Sequence, residues 1–109
     1  MKLTLTSLVV GCALCLSISS LAQSAKITSN PATGYGQHLY AQSCAVCHDA
    51  HSTTPKAGPG MKNYYSTHHP PPTDTTVRAI IAKGKGTMPG FSNLNQKQMN
   101  DLIAYLKTL

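Results

Sequence analysis

The chain has 109 residues and a formal net charge of +6, with nine Lys and Arg residues against three Asp and no Glu. A chain of this length forms one small domain, whose modest core usually needs a disulfide, a metal or another bound group for stability. No basic run is interleaved with aromatic residues, so the composition argues against a nucleic-acid or DNA partner.

The N-terminal residues 1–22 have the pattern of a signal peptide. Residues 3–16 are mostly apolar and uncharged, and Ser20-Leu21-Ala22 places small residues at the two positions that a signal peptidase reads. We therefore predict cleavage after Ala22, loss of Cys12 and Cys15 with the peptide, and export to a periplasmic compartment. Lipidation at Cys12, or retention of an uncleaved N-terminus, would instead anchor the chain to a membrane.

Residues 23–33 are predicted to form a flexible N-terminal segment, because they are mostly polar, lack periodicity and contain Pro31. From Gly34 the pattern becomes helical, which places the predicted domain at residues 34–109. Four residues recur at three- and four-residue steps along one face of this first helix: Gly36, Tyr40, Cys44 and Cys47.

Residues 44–48 read Cys44-Ala45-Val46-Cys47-His48, the single C-x-x-C-H run in the chain. Two intervening residues place the thiols about one helical turn apart, so both can reach the vinyl groups on one edge of a porphyrin. The imidazole that follows can then reach the iron. The motif therefore predicts one covalently attached haem c, held by Cys44, Cys47 and His48, and this haem would form the centre of the small core.

A C-x-x-C pair also occurs in redox-active dithiols and in zinc sites. A dithiol oxidoreductase would have a βαβ pattern around the pair, and a zinc site would have a second ligand pair at finger-like spacing. The sequence contains neither pattern. Haem attachment is the interpretation that uses all three motif residues.

The segment 49–72 contains seven Pro and Gly residues and is predicted to be a loop with at most short turns. Thr73 or Asp74 can cap a second helix, and Gly84 is well placed to end it. A second loop is expected at residues 85–93.

A last helix is predicted to follow this loop. Asn95 and Gln98 have the spacing of a capping box. Apolar residues then recur at helical spacing: Met99, Leu102, Ile103, Tyr105 and Leu106. Because there is no β-hairpin signal and no internal repeat, the fold class is predicted to be all-α, with three or more short helices around one haem.

The loop Gly86-Thr87-Met88-Pro89-Gly90-Phe91 offers a second axial ligand for the iron. A thioether on a loop bounded by Gly and Pro can be held over the iron by a stiff turn, and Met/His ligation raises the reduction potential. We therefore predict Met88 on the haem face opposite His48. His68 or His69 in that position, or an open sixth position, are the alternatives.

The other methionines have a structural interpretation. Met99 lies at core spacing on the last helix, and filling the core is the commoner role of methionine. Met61 is expected to pack against the porphyrin or the neighbouring core. His51 is too close to His48 in sequence to reach the opposite haem face easily.

Three separated pieces of the chain match one family pattern in order: Gly36 and Tyr40 before the C-x-x-C-H motif, then Gly58-Pro59, then Met88-Pro89 followed by residues 101–107. On these pieces the chain resembles the class I, mono-haem c-type cytochromes of the small bacterial type, over most of residues 36–109.

The resemblance implies the cytochrome c fold and two specific contacts. The Pro59 carbonyl would accept a hydrogen bond from the His48 imidazole and orient the ligand. Tyr105 and Leu102 of the last helix would cross the first helix at Gly36 and Tyr40.

The segment 67–72, with His68, His69 and three consecutive prolines, departs from the family pattern. The residues that line the haem propionates are therefore open. Tyr64 and Tyr65 are candidates, and plain packing of both rings is the alternative.

The resemblance implies a one-electron carrier and not an enzyme. Redox partners with acidic docking surfaces are expected for this basic protein: a dehydrogenase, an oxidase or a membrane cytochrome complex, with membrane contact only through them. Lys83 and Lys85 flank the Met88 loop and are predicted to form the docking rim. The alternatives are a catalytic or ligand-sensing haem subunit with an open or His-ligated sixth position, or a dedicated cytochrome subunit of a dehydrogenase or oxidase.

Overall fold

The computed structural model of the protein describes residues 30–109. The predicted signal peptide at residues 1–22 and its cleavage after Ala22 lie outside these residues and remain predictions. Within residues 30–109, no helix is long and apolar enough to cross a membrane.

Four helices follow one another along the described chain: α1 (Pro31–Ser43), α2 (Tyr64–Thr67), α3 (Asp74–Lys83) and α4 (Gln96–Leu106). Residues 30–109 contain no strand, only one isolated bridge between Lys85 and Met88. The predicted all-α class is confirmed. The predicted loop 49–72 is irregular except for the single turn of α2.

Helix α1 begins at Pro31, three residues before the predicted start at Gly34, which corrects the C-terminal boundary of the flexible segment 23–33. Asn30 is the reason, because its side chain accepts a hydrogen bond from the Ala32 backbone N–H at 3.0 Å. Pro31 then occupies the first helical turn, where its missing N–H costs nothing and its fixed φ suits a helix.

The start and end of α3 and the start of α4 are as predicted from their capping residues. The Thr73 side chain accepts from the Thr76 backbone N–H at 3.1 Å, and α3 stops at Gly84. At α4 both bonds of the capping box are present, each 2.9 Å long, between Asn95 and Gln98. Side-chain hydrogen bonds therefore set the starts of both helices, and glycine sets the end of α3.

Helices α1 and α4 cross at Gly36, as the family resemblance implies. A Cβ atom built on Gly36 would overlap the Asp101 carbonyl and lie 2.9 Å from the Tyr105 Cβ, so only glycine permits this approach. One turn later the rings of Tyr40 and Tyr105 meet edge to face, with centroids 5.5 Å apart and planes at 61°. Leu102 is 2% exposed beside them.

Two polar contacts tie α3 to α4 on the far side of the core. The Lys107 ammonium lies 2.6 Å from the Asp74 carboxylate, and the Arg78 guanidinium donates to the Asn100 side chain at 2.7 Å. Both contacts are exposed, so each adds little to stability. The buried hydrophobic core lies between these helices and α1: Tyr40, Met61, Val77, Ile81, Met99, Leu102, Ile103, Tyr105 and Leu106.

We expect Gly36→Ala to destabilise the folded protein by about 1–3 kcal/mol, because the added methyl overlaps backbone atoms of α4 that cannot move independently. Gly34→Ala is the matched control. Its Cβ would meet nothing within 4 Å, so the better helix propensity of alanine should stabilise α1 by up to about 1 kcal/mol. Chemical denaturation of the two haem-loaded variants measures both effects. Equal stability of the two variants would contradict the described crossing.

Candidate functional site

A cavity of about 690 Å³ lies between the four helices and the loops that join them. Its volume falls in the range of sites that enclose one cofactor. Most of its walls are apolar, and α3 and α4 supply Val77, Ile80, Ile81, Leu102 and Leu106. Such a lining excludes water and suits a flat, largely apolar ring.

The C-x-x-C-H motif forms one wall of this cavity. The Cys44 N–H donates to the Tyr40 carbonyl at 2.8 Å, and the N–H groups of Cys47 and His48 donate to the Cys44 carbonyl at 3.0 and 2.9 Å. The motif is thus a tight turn directly after α1. Cys44, Cys47 and His48 all line the cavity, and no disulfide joins the two cysteines.

Burial affects the thiol chemistry of Cys44. Burial, with a smaller contribution from the neighbouring Cys47, raises the pKa of the Cys44 thiol to about 11. Reactive dithiols have the opposite shift, because the thiolate is the nucleophile. Among residues 30–109 there is also no group of three or more His, Cys, Asp or Glu side chains that could hold a metal ion.

The His48 ring is held in one orientation by the loop that follows it. Its Nδ1 lies 2.8 Å from the Pro59 carbonyl oxygen. Because a carbonyl only accepts hydrogen bonds, Nδ1 carries the proton, and Nε2 is left with the lone pair that a metal needs. The predicted contact between Pro59 and His48 is therefore present.

Gly58 is required for this contact. A Cβ atom on Gly58 would lie 2.8 Å from Nδ1 and 2.9 Å from Nε2 of His48, closer than side chains pack. The Gly58 N–H also donates to the Cys47 carbonyl at 2.9 Å. The loop therefore runs flat against both the imidazole and the backbone of the motif.

Met88 lines the same cavity from the loop between α3 and α4. Paired backbone hydrogen bonds of 3.2 and 3.0 Å join Lys85 and Met88, and the Phe91 N–H donates to the Ile81 carbonyl of α3 at 2.8 Å. Met88 therefore sits on a closed turn fixed to a helix. Its role as the ligand opposite His48 stays a prediction.

The alternative ligands lie elsewhere. Neither His68 nor His69 is among the residues that line the cavity. The His68 Nδ1 lies 2.8 Å from the Tyr64 carbonyl, and its ring packs on the Tyr64 ring with centroids 4.4 Å apart. His51 likewise is exposed and does not line the cavity.

The two propionate candidates differ in position. Tyr64 lines the cavity, whereas Tyr65 does not. The buried Tyr65 hydroxyl has no hydrogen-bond partner within the described part of the chain, and burial raises its pKa to about 12. The sequence could not show which of these two adjacent tyrosines faces the cavity, because the four-residue helix α2 determines the direction of each ring.

One contact of the site was not predicted from the sequence. The Tyr40 hydroxyl donates to the His48 backbone carbonyl at 2.9 Å. Burial, with smaller contributions from Cys44, Tyr105 and Asp49, raises the pKa of Tyr40 well above its usual range, so this hydroxyl keeps its proton. A tyrosine four residues before the first motif cysteine was the available signal.

Known proteins resemble the chain in sequence and fold. The family model described as "Cytochrome C oxidase, cbb3-type, subunit III" matches residues 31–106. Cytochrome c-L of Methylorubrum extorquens is 36% identical over 76 residues, which cover 68% of this chain and 38% of that relative. The chain therefore spans well under half the length of this relative.

Among solved structures, cytochrome c6 from the diatom Phaeodactylum tricornutum has a similar fold. The TM-score is 0.56, the alignment covers 70% of this chain and 91% of that chain, and 20% of the aligned residues are identical. At this identity the likeness concerns the fold alone.

Proposed function

Because this chain belongs to the class I c-type cytochromes, we propose that it is an electron carrier with covalently bound haem c and that His48 and Met88 are the axial ligands of the iron. The bound haem supplies the one-electron chemistry of ferric and ferrous iron. The protein binds and orients this group, keeps water from it and sets its potential.

One observation carries this proposal. Cys44, Cys47, His48 and Met88 line a single apolar cavity, and the His48 ring presents Nε2 because the Pro59 carbonyl accepts the hydrogen bond from Nδ1. An imidazole nitrogen and a thioether sulfur are the iron ligands of a six-coordinate haem c, and two nearby thiols attach its ring. Two fixed ligands also favour electron transfer, since little has to rearrange when the iron changes its charge.

A redox titration of the purified holoprotein tests this function. We expect a single reversible one-electron wave and a reduced protein that does not bind carbon monoxide. Ready carbon monoxide binding by the unmodified protein would instead favour the catalytic or ligand-sensing alternative.

We propose redox proteins, such as an oxidase or a dehydrogenase, as the partners. A specific observation favours an oxidase, because the family model that matches residues 31–106 is described as an oxidase subunit. A fixed subunit would copurify with the oxidase after mild solubilisation, whereas a free shuttle would purify alone. We also propose export to the periplasm after removal of residues 1–22, with membrane contact through partners.

The charge distribution supports docking to acidic surfaces. All three carboxylates are engaged within the protein: Asp74 and Asp101 in ion pairs with Lys107 and Lys97, and Asp49 with the His51 backbone N–H. Within residues 30–109, the lysines beside the Met88 loop therefore form no ion pair with an aspartate. Lys83 and Lys85 are both exposed, and Lys85 also lines the cavity.

Reversing the charge of these two lysines should reverse the preference for small charged oxidants. We expect Lys83→Glu/Lys85→Glu to react roughly tenfold more slowly with anionic hexacyanoferrate(III) at low salt and faster with cationic hexaammineruthenium(III). Stopped-flow oxidation at several ionic strengths measures both rates, which should converge as salt screens the charges.

Lys62→Glu is the matched control, since Lys62 is also exposed but does not line the cavity. It should change both rates much less. If Lys62→Glu changes the two oxidation rates as much as the double variant does, or if the rates of neither variant depend on salt, electrons do not leave the haem at the docking rim of Lys83 and Lys85.

A further inference from the structure

Tyr40 contacts the haem-binding motif at both of its ends. Its carbonyl accepts hydrogen bonds from the N–H groups of Cys44 at 2.8 Å and Ala45 at 3.0 Å. Its hydroxyl donates to the carbonyl of His48 at 2.9 Å. One residue therefore spans the five-residue turn, through its main chain at the start and its side chain at the end.

The crossing of α1 and α4 determines where this residue lies. Tyr40 is 3% exposed, and its ring packs edge to face against Tyr105 of α4. Gly36, one turn earlier on α1, allows the close approach that brings the two rings together. Close packing at this crossing thus restricts the positions that the Tyr40 hydroxyl can take relative to His48.

We infer that Tyr40 is a positioning residue for the axial histidine, which rests on the proposed ligand role of His48. His48 is then fixed at three points: its N–H by the Cys44 carbonyl, its own carbonyl by the Tyr40 hydroxyl, and its ring by the Pro59 carbonyl. The bond to Pro59 depends on the two main-chain bonds, because the imidazole reaches Pro59 only while the His48 backbone keeps its place.

This arrangement has a consequence for the reduction equilibrium. The hydrogen bond from Nδ1 to a carbonyl makes the imidazole a stronger electron donor, and such contacts tune the metal that the ring binds. A stronger donor stabilises ferric iron relative to ferrous iron. Removing the Tyr40 hydroxyl should release the His48 carbonyl, weaken the bond to Pro59 and so favour the ferrous form.

The test compares Tyr40→Phe with Tyr105→Phe in the haem-loaded protein. Both variants keep the aromatic ring at the same helix crossing, but only Tyr40→Phe removes the hydrogen bond to His48. We expect Tyr40→Phe to shift the reduction equilibrium constant at least threefold toward the ferrous form, about 28 mV at 59 mV per tenfold change. Tyr105→Phe should leave this constant unchanged, even if both variants unfold at lower temperature.

An unchanged potential in Tyr40→Phe, or an equal shift in both variants, would overturn the inference and leave Tyr40 as a packing residue. If Tyr40→Phe yields no haem-loaded protein while Tyr105→Phe loads normally, the hydroxyl is needed to place the motif during attachment, and the inference stands. If neither variant loads, the deuterium isotope shift of the His48 carbonyl carbon in the unmodified protein decides, and its absence overturns the inference.

The test also separates this inference from the proposed ligation. The spectrum of the unmodified protein reports whether histidine and methionine bind the iron, before any variant is made. Only the difference between the two tyrosine variants reports on Tyr40.

Discussion

Replacing Cys44 and Cys47 together with alanine is expected to abolish covalent haem and to unfold the chain. The two thioether bonds cannot form without these thiols. At about 24 cal/mol per Å³, an unfilled cavity of 690 Å³ would cost about 17 kcal/mol, more than the whole stability of a small domain. Haem staining on a denaturing gel and circular dichroism of the purified chain measure the two losses.

The N-terminal pair offers a matched control for this variant. Cys12 and Cys15 have the same C-x-x-C spacing but no histidine after them, and they lie in the predicted signal peptide. Cys12→Ala/Cys15→Ala should keep a full complement of haem. Retention of haem stain by the Cys44→Ala/Cys47→Ala chain would show that the motif does not hold the group.

Replacing Met88 with leucine is expected to open the sixth coordination position. Leucine keeps the volume of methionine, so packing should change by less than about 1.5 kcal/mol while the sulfur ligand is lost. The reduced variant should bind carbon monoxide. Its midpoint potential should fall by on the order of 0.1 V, within the 0.8 V range that axial ligands span.

Met61→Leu is the control for the loss of a methionine in the same cavity. Met61 also lines the cavity and is 8% exposed, but it lies on the irregular loop after the motif. This variant should keep its potential and exclude carbon monoxide. If instead Met61→Leu opens the iron and Met88→Leu does not, the ligand has been assigned to the wrong methionine.

Local chemistry made much of the fold predictable. The caps at Thr73, Asn95 and Gln98 and the stop at Gly84 depend on neighbours within four residues, so the sequence alone located α3 and α4 closely. Helix α1 started early because Asn30 caps it, which the polar composition of the preceding segment concealed. The spacing likewise identified the C-x-x-C-H motif, since few functions other than haem attachment use two thiols three residues apart with an imidazole directly after them.

Contacts between distant segments were harder to predict. The family resemblance implied the bond between His48 and Pro59, but the clearance that Gly58 provides depends on how the loop folds back on the ring. The hydroxyl contact of Tyr40 required the tight turn after α1. A helical face predicts that Tyr40 points inward, but it does not predict which carbonyl the hydroxyl reaches.

The absorption spectrum of the purified ferric protein tests the central claim most directly, because it reports the bond between Met88 and the iron of a covalently held haem. We predict a weak far-red band of methionine-ligated ferric haem in the unmodified protein and in Met61→Leu, and its loss in Met88→Leu. The contradicting result is a ferric spectrum of the unmodified protein that lacks this band at neutral pH with haem fully attached. It would overturn the assignment of Met88, and with it an electron carrier whose iron has both axial positions filled.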